Sequence, residues 1–507
     1  MVWDLETPEA LRAFASRLAA FVSTVDFIAL HGELGAGKTT FAQGLIPALG
    51  VNDIVTSPTY QLVHTHTAGH RIIYHCDFYR LGPSEEDEIG FREMCATGIV
   101  LAEWPDAVQN NLPPDRLEVR IEEKGEARRL SLTGFGMWRK KLTRFVEIAA
   151  FLEGSGWGTS RCTAIKGDAS ARLFSRLQRG PDVIMLMDWP PQTDGPPIRN
   201  GRPYCDIAHL AREGTPFIAV SDWLRGKAGL SAPEVYASDR ERGLYLVEDL
   251  GDGVFGSLIA GGEPLEALYA IAVDGFLAIR ASAPPRDLPS SSTFYHVPDF
   301  DREALEVELE LVLQWYFRMV QGEPASEALT YSFFEAWSAS LNWLETQPKE
   351  LILRDFHSPN LLLCRERKGS ARLGVIDFQD ALWGHPAYDL VSLLQDARLD
   401  VPEGSERTLY ARYCEGAAKA IPGFDPAAFG KAYAILGAQR NTKILGIFAR
   451  LSMRDGKHGY LAHLPRIERY LFRNLAHPEL KPLRAWYEAN LRTDSDAQLR
   501  SGAFDKG

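Results

Sequence analysis

The sequence is poor in cysteine and has no cysteine motif. Six cysteines are spread over 507 residues, and none forms a C-x-x-C pair. This scatter fits neither a disulfide framework nor a cysteine zinc site, and it is typical of a reducing compartment. We therefore expect ordinary core or surface thiols and a cytoplasmic protein.

Long apolar runs and a basic charge excess are also lacking. No stretch reaches the roughly 18 consecutive apolar residues that predict a membrane-spanning helix. The N-terminus has Asp4, Glu6 and Glu9 where a secretory signal would carry basic residues. The chain has 55 basic and 67 acidic residues, a net charge of −12. This charge disfavours strong direct binding to nucleic acid or to an anionic membrane.

The composition is that of a soluble globular protein with several domains. Hydrophobic residues make up 45% and charged residues 24% of the chain. At roughly 150 residues per domain, this length predicts two to four domains. We expect an α/β domain at 1–136, a bilobal domain at 138–492 with a β-rich small lobe and a helical large lobe, and a frayed polar tail at 493–507.

Local patterns predict elements along the chain. Thr7-Pro8-Glu9 is typical of a helix N-terminus. Periodicity predicts strands at 60–64, 72–75, 99–102, 117–121 and 129–132, and a helix from Trp138 to Glu153. The Pro/Ser-rich stretch 284–292 is interpreted as a surface loop.

A phosphate-binding motif stands between a predicted strand and a predicted helix. Residues 32–39 read GELGAGKT and match G-x-x-x-x-G-K-[ST] in the context that this motif requires. The glycines let successive backbone N–H groups point at phosphate oxygens. Lys38 would neutralise the β- and γ-phosphates, and the Thr39 hydroxyl would hold Mg²⁺.

Acids at the ends of later strands complete this pattern. Asp77 and Glu103 follow apolar strands and are candidates to hold Mg²⁺ or to orient water, with surface acids as the alternative. Residues 57–60 are either a switch-like segment or an ordinary turn. The spacing of His64, His66, His70 and His75 does not define a zinc site.

Residues 4–135 resemble the TsaE family, the P-loop ATPases of bacterial tRNA threonylcarbamoyladenosine synthesis. The matching segments are GELGAGKTTFAQGL, SPTYQLV, YHCDFYRL and LAEWP. The resemblance implies Mg²⁺ on Thr39 and Glu103, Asp77 as the acid beside the phosphates, Trp104 next to the site, Thr7 near adenine, and partners resembling TsaB and TsaD. It implies that ATP is held by Gly35, Ala36, Gly37, Lys38, Thr39 and Thr40.

A second phosphate-handling pattern lies in the large lobe. Residues 354–360 read RDFHSPN, the R-D-x-x-x-x-N spacing of kinase catalytic loops, and Asp377 ends a strand further on. Asp355 would accept the proton of the attacking hydroxyl. Asn360 and Asp377 would hold Mg²⁺ on the phosphates of ATP.

The small lobe departs from the usual kinase pattern. Residues 166–172 read KGDASAR and are either a phosphate-covering loop or a plain β-turn. The strand 183–187 lacks the lysine that kinases place there, so Lys166 and Arg172 are the candidate counter-charges on the nucleotide.

Residues 138–490 resemble the AmgK family, cytoplasmic sugar kinases of the aminoglycoside phosphotransferase fold that phosphorylate N-acetylmuramate and N-acetylglucosamine at the anomeric hydroxyl. The matching segments include GDASARLF, MDWPP, LRDFHSPNLLL, VIDFQDALWGHPAYDLVSLLQDAR and LGIFARL. The resemblance implies Asp355 as base, Asn360 and Asp377 as metal ligands, and Asp389 as an acid that steadies the loop. Position alone suggests Asp380, Arg440 and Asn441 as sugar contacts, with packing roles as the alternative.

Together these patterns predict a bifunctional enzyme. We expect an α/β P-loop NTPase domain followed by a bilobal α+β kinase-like domain of the aminoglycoside phosphotransferase type, with ATP as substrate and Mg²⁺ in both. Three alternatives stay open: a nucleotide-gated assembly module in the first half, a non-catalytic scaffold in the second half, and a kinase for another hydroxylated acceptor.

Overall fold

A computed structural model describes residues 1–81, 89–165, 172–191, 194–290 and 293–491. The chain forms two compact units, Met1–Pro191 with Val235–Asp249, and Gln192–Glu234 with Leu250–Gly507. Within the described ranges, no helix has both the length and the apolarity needed to cross a membrane. The predicted tail and residues 166–171 of the predicted phosphate-covering loop lie outside these ranges.

The strands are numbered here in chain order. They are β1 (Val2–Leu5), β2 (Asp26–His31), β3 (Val63–Ala68), β4 (Arg71–Asp77), β5 (Ile99–Glu103), β6 (Arg116–Lys124), β7 (Ala127–Phe135), β8 (Arg161–Ile165), β9 (Leu173–Arg179), β10 (Asp182–Asp188), β11 (Pro197–Arg199), β12 (Arg202–Pro203), β13 (Val235–Asp239), β14 (Leu244–Glu248), β15 (Asp287–Ser290), β16 (Thr293–His296), β17 (Glu350–Ile352), β18 (Leu361–Leu363), β19 (Leu373–Val375) and β20 (Leu382–Gly384).

The α-helices are numbered in the same way, with short 3-10 and π turns between some of them. They are α1 (Pro8–Leu18), α2 (Lys38–Ala48), α3 (Phe91–Thr97), α4 (Trp138–Gly154), α5 (Tyr204–Ile207), α6 (Thr215–Trp223), α7 (Phe255–Ala260), α8 (Leu265–Ala281), α9 (Arg302–Leu311), α10 (Phe317–Gln321), α11 (Glu327–Glu345), α12 (Ala387–Leu394), α13 (Glu403–Ala420), α14 (Pro426–Asp455), α15 (Leu464–Leu475) and α16 (Lys481–Asn490).

A seven-stranded sheet forms the first part of the first unit. Its strand order is β1-β7-β6-β2-β5-β4-β3, and β2 is parallel to β5 and β6. The sheet is mixed, and its central parallel strands β2, β4 and β5 are apolar because helices cover both faces there. Helices α1 and α2 pack closely on one face, where a Cβ at Gly44 would lie 2.3 Å from the backbone oxygen of Arg12. This sheet places the ends of β2, β4 and β5 side by side.

Helix α4 joins this sheet to a second one in the same unit. The second sheet is antiparallel with the order β13-β14-β10-β9-β8. Trp138 and Phe145 of α4 are buried in the core of the first sheet, whereas Ile148 and Leu152 are buried against the second. Both sheets therefore share α4 as part of their hydrophobic cores.

The double burial of α4 predicts that a fragment ending at Gly136 is unstable. It would lack Trp138 and Phe145, and truncating a single buried aromatic side chain costs about 3–5 kcal/mol. We expect the fragment 1–136 to unfold at a much lower urea concentration than a fragment ending at Gly156, which keeps the helix and serves as the control. Equal urea midpoints, followed by circular dichroism, would show that α4 is dispensable to this core.

The second unit is mainly helical. The long helix α14 packs against α9, α12 and α15, and almost all of its middle is buried. Short antiparallel pairs, β17 with β20 and β18 with β19, carry the segment between residues 350 and 384. These pairs hold the predicted catalytic loop on the helical core.

Two local predictions are wrong. The predicted strand at 60–64 begins only at Val63, because Leu62 has a φ of +62° and Tyr60 lies in a turn. The predicted loop at 284–292 contains β15, which pairs with β16 despite Pro289. A proline is tolerated in this two-stranded pair because such a strand has an edge that needs no N–H donor.

Candidate active sites

The glycine loop between β2 and α2 is the first candidate site. Gly35 and Gly37 have φ values of +83° and +116°, in the left-handed region that favours glycine. A Cβ at Gly32 would lie 2.4 Å from the backbone oxygen of Ile121, so a larger residue does not fit there. Helix α2 begins at Lys38 directly after this loop. The loop therefore has the backbone shape and the helix N-terminus of an anion site.

Lys38 is held against the loop from which it extends. Its Nζ donates to the backbone oxygens of Gly32 at 2.7 Å and Glu33 at 3.0 Å, and it lies 3.9 Å from the centre of the Trp104 ring. Burial lowers the pKa of Lys38, although nearby carboxylates oppose this shift. The ammonium group thus has carbonyl partners that phosphate oxygens can replace.

Thr39 and Glu103 meet on one side of the loop. The Thr39 hydroxyl donates to Glu103 Oε1 at 3.1 Å, and Glu103 is a buried residue at the end of β5. His75 Nε2 lies 3.0 Å from the same oxygen. The structure therefore brings together the two predicted Mg²⁺ ligands and adds His75, whose contact with Glu103 the spacing of the histidines did not indicate. The sequence does carry a signal for this contact, because His75 lies two residues before Asp77 and therefore on the same face of the strand.

The residue after Glu103 has an unusual backbone. Trp104 has a φ of +60°, which non-glycine residues rarely adopt, and its N–H donates to the backbone oxygen of Leu30 at 3.2 Å. Its ring lies 4.9 Å from the Tyr79 ring and faces Lys38. Strained backbone of this kind is concentrated at functional sites. In this conformation the Trp104 ring lies next to the glycine loop.

Asp77 is held by the segment predicted to be either a switch or a turn. The Thr59 hydroxyl donates to Asp77 Oδ2 at 2.8 Å and lies 2.7 Å from the Ser57 hydroxyl. The backbone N–H of Tyr79 donates to Asp77 Oδ1 at 3.0 Å. Thr59 thus contacts the predicted acid directly, and Ser57 contacts Thr59, which a plain turn would not require.

Thr7 caps the N-terminus of α1. The Thr7 hydroxyl accepts the N–H of Ala10 at 3.1 Å, so the predicted helix N-cap is confirmed. A role for Thr7 near adenine stays a prediction.

In the described ranges, no group of three His, Cys, Asp or Glu side chains is arranged around a metal position. A P-loop magnesium site needs only a hydroxyl and one carboxylate beside the phosphate oxygens.

The catalytic-loop motif forms the second candidate site, in the second unit. Arg354 has a φ of +69°, and Asp355 follows it between β17 and β18. Asp389 on α12 accepts the backbone N–H of Leu353 at 2.7 Å and of Arg354 at 2.9 Å. The loop is therefore fixed by a buried carboxylate, in the role that the resemblance implied for Asp389.

The predicted metal ligands of this site lie together. Asn360 Nδ2 donates to the backbone oxygen of Asp355 at 3.0 Å and to Asp377 Oδ2 at 3.4 Å. Gln379 Nε2 donates to Asp377 Oδ1 at 3.1 Å. Asp377 itself has a φ of +64°, a second strained position in this site. Asp355, Asn360 and Asp377 thus form one cluster, and Gln379 is a member that the motif did not indicate.

A buried ionic network underlies the catalytic loop. The Arg354 guanidinium is paired with Glu308, which also accepts a hydrogen bond from Lys443 Nζ at 2.7 Å and from Gln439 Nε2 at 3.0 Å. Burial alone would raise the pKa of Glu308, but the charges of Lys443 and Arg354 hold it at about 2. Sequence reasoning missed Glu308 and Lys443 because they lie far from the motif in sequence.

The Glu308 network predicts an acid-sensitive stability. The folded pKa of about 2 lies below the ordinary value of 4.5, so the stabilisation is present above about pH 4.5 and is lost as the pH falls towards 2. Glu308→Gln leaves the buried Arg354 guanidinium and the largely buried Lys443 ammonium group without a carboxylate partner. We expect it to cost about 3–5 kcal/mol at neutral pH and to flatten this acid dependence.

Urea unfolding between pH 3 and pH 7 measures this effect. Glu310→Gln is the matched control, because Glu310 lies on the same helix and pairs with Arg199 at a partly exposed position. We expect the control to change stability by about 1 kcal/mol or less. Equal losses in the two variants would contradict the importance of the buried network.

The three positions suggested as sugar contacts differ in their surroundings. Asp380 lies beside the cluster, where its Oδ1 accepts the N–H of Ala211 at 2.6 Å, and burial raises the pKa of Asp380. Asn441 is fully buried and donates to Gln395 Oε1 at 2.8 Å, and Arg440 reaches the backbone oxygen of Gln395 at 3.4 Å. The contacts of Arg440 and Asn441 fit the packing alternative.

The candidate counter-charges lie in the first unit. Lys166 is outside the described residues. The Arg172 guanidinium lies 5.3 Å from the centre of the Trp189 ring, close to the end of β10. Strand β10 contains no lysine. The role of Lys166 and Arg172 towards a nucleotide stays a prediction.

Comparison with known proteins gives a relationship for the first half of the chain. Residues 5–130 match the family model described as threonylcarbamoyl adenosine biosynthesis protein TsaE. The tRNA threonylcarbamoyladenosine biosynthesis protein TsaE of Bacillus subtilis is 37% identical over 136 residues, which are 26% of this chain and 85% of that protein.

The second half has relatives of its own. Residues 161–429 match the model of the phosphotransferase enzyme family. The N-acetylmuramate/N-acetylglucosamine kinase of Caulobacter vibrioides is 37% identical over 350 residues, which are 67% of this chain and 94% of that protein. A kinase of the same name from Pseudomonas putida is 31% identical over 322 residues, 62% of this chain and 85% of that protein.

These matches confirm the predicted fold class and the prediction of two enzymatic domains, an ATPase and a phosphotransferase. The first domain has the P-loop α/β fold, and the second has the kinase-like fold of the aminoglycoside phosphotransferases. The chain belongs to the phosphotransferase enzyme family and carries a TsaE domain ahead of its kinase domain.

Proposed function

We propose that the chain combines two ATP-dependent activities. The N-terminal domain hydrolyses ATP in support of tRNA threonylcarbamoyladenosine modification, and the C-terminal domain phosphorylates N-acetylmuramate or N-acetylglucosamine at the anomeric hydroxyl. The observation that carries this proposal is the presence of two separate sets of phosphate-handling groups, one around Lys38 and one around Asp355. The names of the relatives supply the substrate classes.

In the N-terminal domain, backbone N–H groups of the glycine loop would hold the phosphates of ATP. The Thr39 hydroxyl and the Glu103 carboxylate are hard oxygen donors 3.1 Å apart, so they suit Mg²⁺, which would neutralise charge on the phosphates. Lys38 would exchange its two carbonyl partners for phosphate oxygens. Asp77, held by Thr59, would orient the attacking water.

In the kinase domain, Asp355 would accept the proton of the sugar hydroxyl. Asn360 and Asp377 have the oxygen donors that Mg²⁺ prefers, and the amide nitrogen of Asn360 is already bonded to the loop, so its oxygen is the atom left to serve as a ligand. Lys166 and Arg172 would supply positive charge to the nucleotide, in place of the strand lysine. Asp380 is the acid best placed beside this cluster to contact the sugar.

The experiment that tests the kinase proposal is a coupled assay of ADP release by the full chain. N-acetylmuramate and N-acetylglucosamine are the expected acceptors, and choline and an aminoglycoside are the comparison acceptors. Turnover with the amino sugars above that of the comparison acceptors supports the proposal. Turnover only with another acceptor would favour the alternative kinase, and no turnover with any acceptor would favour the scaffold.

We also propose that the N-terminal domain acts with TsaB-like and TsaD-like subunits in the cytoplasm. The acidic net charge of −12 disfavours direct tRNA binding by this chain, so partner subunits would contact the tRNA. A pull-down with these subunits, with and without ATP, tests this interaction. Capture only in one nucleotide state would support gated assembly, and failure in both states would contradict it.

The domain assignment remains part of the proposal. We assign the ATPase activity to residues 1–136 and the kinase activity to 138–492, with 493–507 as a tail. Because α4 contributes to the hydrophobic core of the P-loop sheet, the activity boundary and the folding boundary differ by the length of this helix.

A further inference from the structure

The observation that carries a further inference is a buried histidine on β4. His75 is fully buried, on the same face of β4 as Ile73 and Asp77. Its Nε2 lies 3.0 Å from Glu103 Oε1. We propose that His75 is a positioning residue that holds Glu103 in the orientation required to bind Mg²⁺ at the glycine loop. This inference rests on the proposed function of the N-terminal domain.

The register of the sheet explains how the two side chains meet. Strands β4 and β5 are parallel, with His75 opposite Leu101 and Asp77 opposite Glu103. His75 and Glu103 are therefore diagonal neighbours on one face, the face that α1 and α2 cover. A one-residue shift of the register would point one of them to the other face, so strand pairing fixes their contact.

The chemistry of the contact assigns its direction. An ionised carboxylate can only accept a hydrogen bond, so this contact is a hydrogen bond in the His75 tautomer that carries its proton on Nε2. The Thr39 hydroxyl donates to the same oxygen, Oε1, at 3.1 Å. Two donors on one oxygen, at a carboxylate that is 3% exposed, restrict Glu103 to a single orientation.

The second ring nitrogen of His75, Nδ1, distinguishes a positioning role from simple packing. Among the described residues, His75 Nδ1 is buried and has no hydrogen-bond partner. Leaving such an atom unpaired costs free energy, and an apolar side chain at this position would avoid the cost. The hydrogen bond between His75 and Glu103 offsets this cost. Groups that orient metal-binding side chains commonly change metal affinity about 10- to 100-fold when they are removed.

The test measures Mg²⁺ affinity through the fluorescence of an N-methylanthraniloyl derivative of ATP bound to the full chain. All variants carry Asp377→Asn, which weakens the kinase site, and Lys38→Ala on this background identifies the signal of the glycine loop. We expect His75→Leu to raise the apparent Kd for Mg²⁺ by about 10- to 100-fold. Binding of the same nucleotide in EDTA should not change. His75→Gln should restore most of the affinity, because its amide NH₂ can donate to Glu103.

His66→Leu is the matched control, since His66 is a buried histidine on the neighbouring strand β3 and, in the described ranges, makes no hydrogen bond to Glu103. An unchanged Mg²⁺ affinity in His75→Leu, or an equal loss in His66→Leu, would overturn the inference. Loss of nucleotide binding in EDTA would show a structural role instead. If Glu103→Gln changes the Mg²⁺ affinity and His75→Leu does not, only the inference fails. If Glu103→Gln has no effect, the proposed ligand fails as well.

Discussion

Asp355→Asn should lower the kcat of sugar phosphorylation by about 10²- to 10⁴-fold, the range of general-base contributions. The substitution keeps the size of the side chain and most of its hydrogen bonds, but it removes the negative charge and the basicity that receive the proton of the sugar hydroxyl. Apparent ATP affinity should change little, because ATP is held through other groups. Asp377→Asn should instead weaken Mg²⁺ and ATP binding together.

Steady-state kinetics with the preferred amino sugar, with ATP varied, separates these outcomes. Asp274→Asn is a matched control, because Asp274 is an exposed carboxylate paired with Arg412. The control should keep the kcat of the unmodified chain. Near-normal turnover by Asp355→Asn would show that the base is assigned wrongly, and the kinase mechanism proposed here would have to be abandoned.

The structure gives a reason why Asp355→Asn should report on chemistry and not on folding. The loop is fixed by Asp389, which binds two backbone N–H groups, and by the Arg354 guanidinium, which is paired with Glu308. Neither of these contacts uses the side chain of Asp355. The carboxylate of Asp355 can therefore be changed while its support stays in place.

Motifs predicted the two candidate sites because their geometry is local. The glycine loop, Lys38 and Thr39 lie within one short segment whose flanking strand and helix are visible in the sequence. The spacing from Asp355 to Asn360 is set by a single loop, and a short hairpin returns the chain to Asp377. In both cases few degrees of freedom separate the residues, so their spacing along the chain indicates their proximity in the fold.

The contacts that sequence reasoning missed depend on long-range pairing. Glu308 meets Arg354 because α9 packs beside the catalytic loop, and His75 meets Glu103 because β4 pairs with β5. Neither pairing order can be read from one sequence. The helix α4 was predicted from its apolar periodicity, but periodicity cannot say that its apolar residues are divided between two cores.

The failed strand at 60–64 has a different cause. Its apolar and aromatic residues have strand propensity, but propensity measures the fit of a side chain to a half-buried sheet. Tyr60 is 90% exposed and lies in a turn that brings Thr59 to Asp77. In this segment the contacts with Asp77, and not the strand propensity of the residues, determine the backbone conformation. Such conflicts between local preference and fold are expected where a segment serves a site.

Lys38→Ala should abolish most ATP hydrolysis by the N-terminal domain and leave sugar phosphorylation intact. The ammonium group of Lys38 is the cation built into the glycine loop, and loss of one such electrostatic group from an active site typically costs about 10²- to 10³-fold in kcat. ATP hydrolysis is measured without sugar, and sugar phosphorylation is measured on the same preparation. Lys124→Ala is the control, because Lys124 is a half-exposed lysine of the same sheet, paired with Asp4. Since the two sets of phosphate-handling residues share no side chain, the two activities should respond separately, and a joint loss of both would contradict the proposed division of the chain into two enzymes.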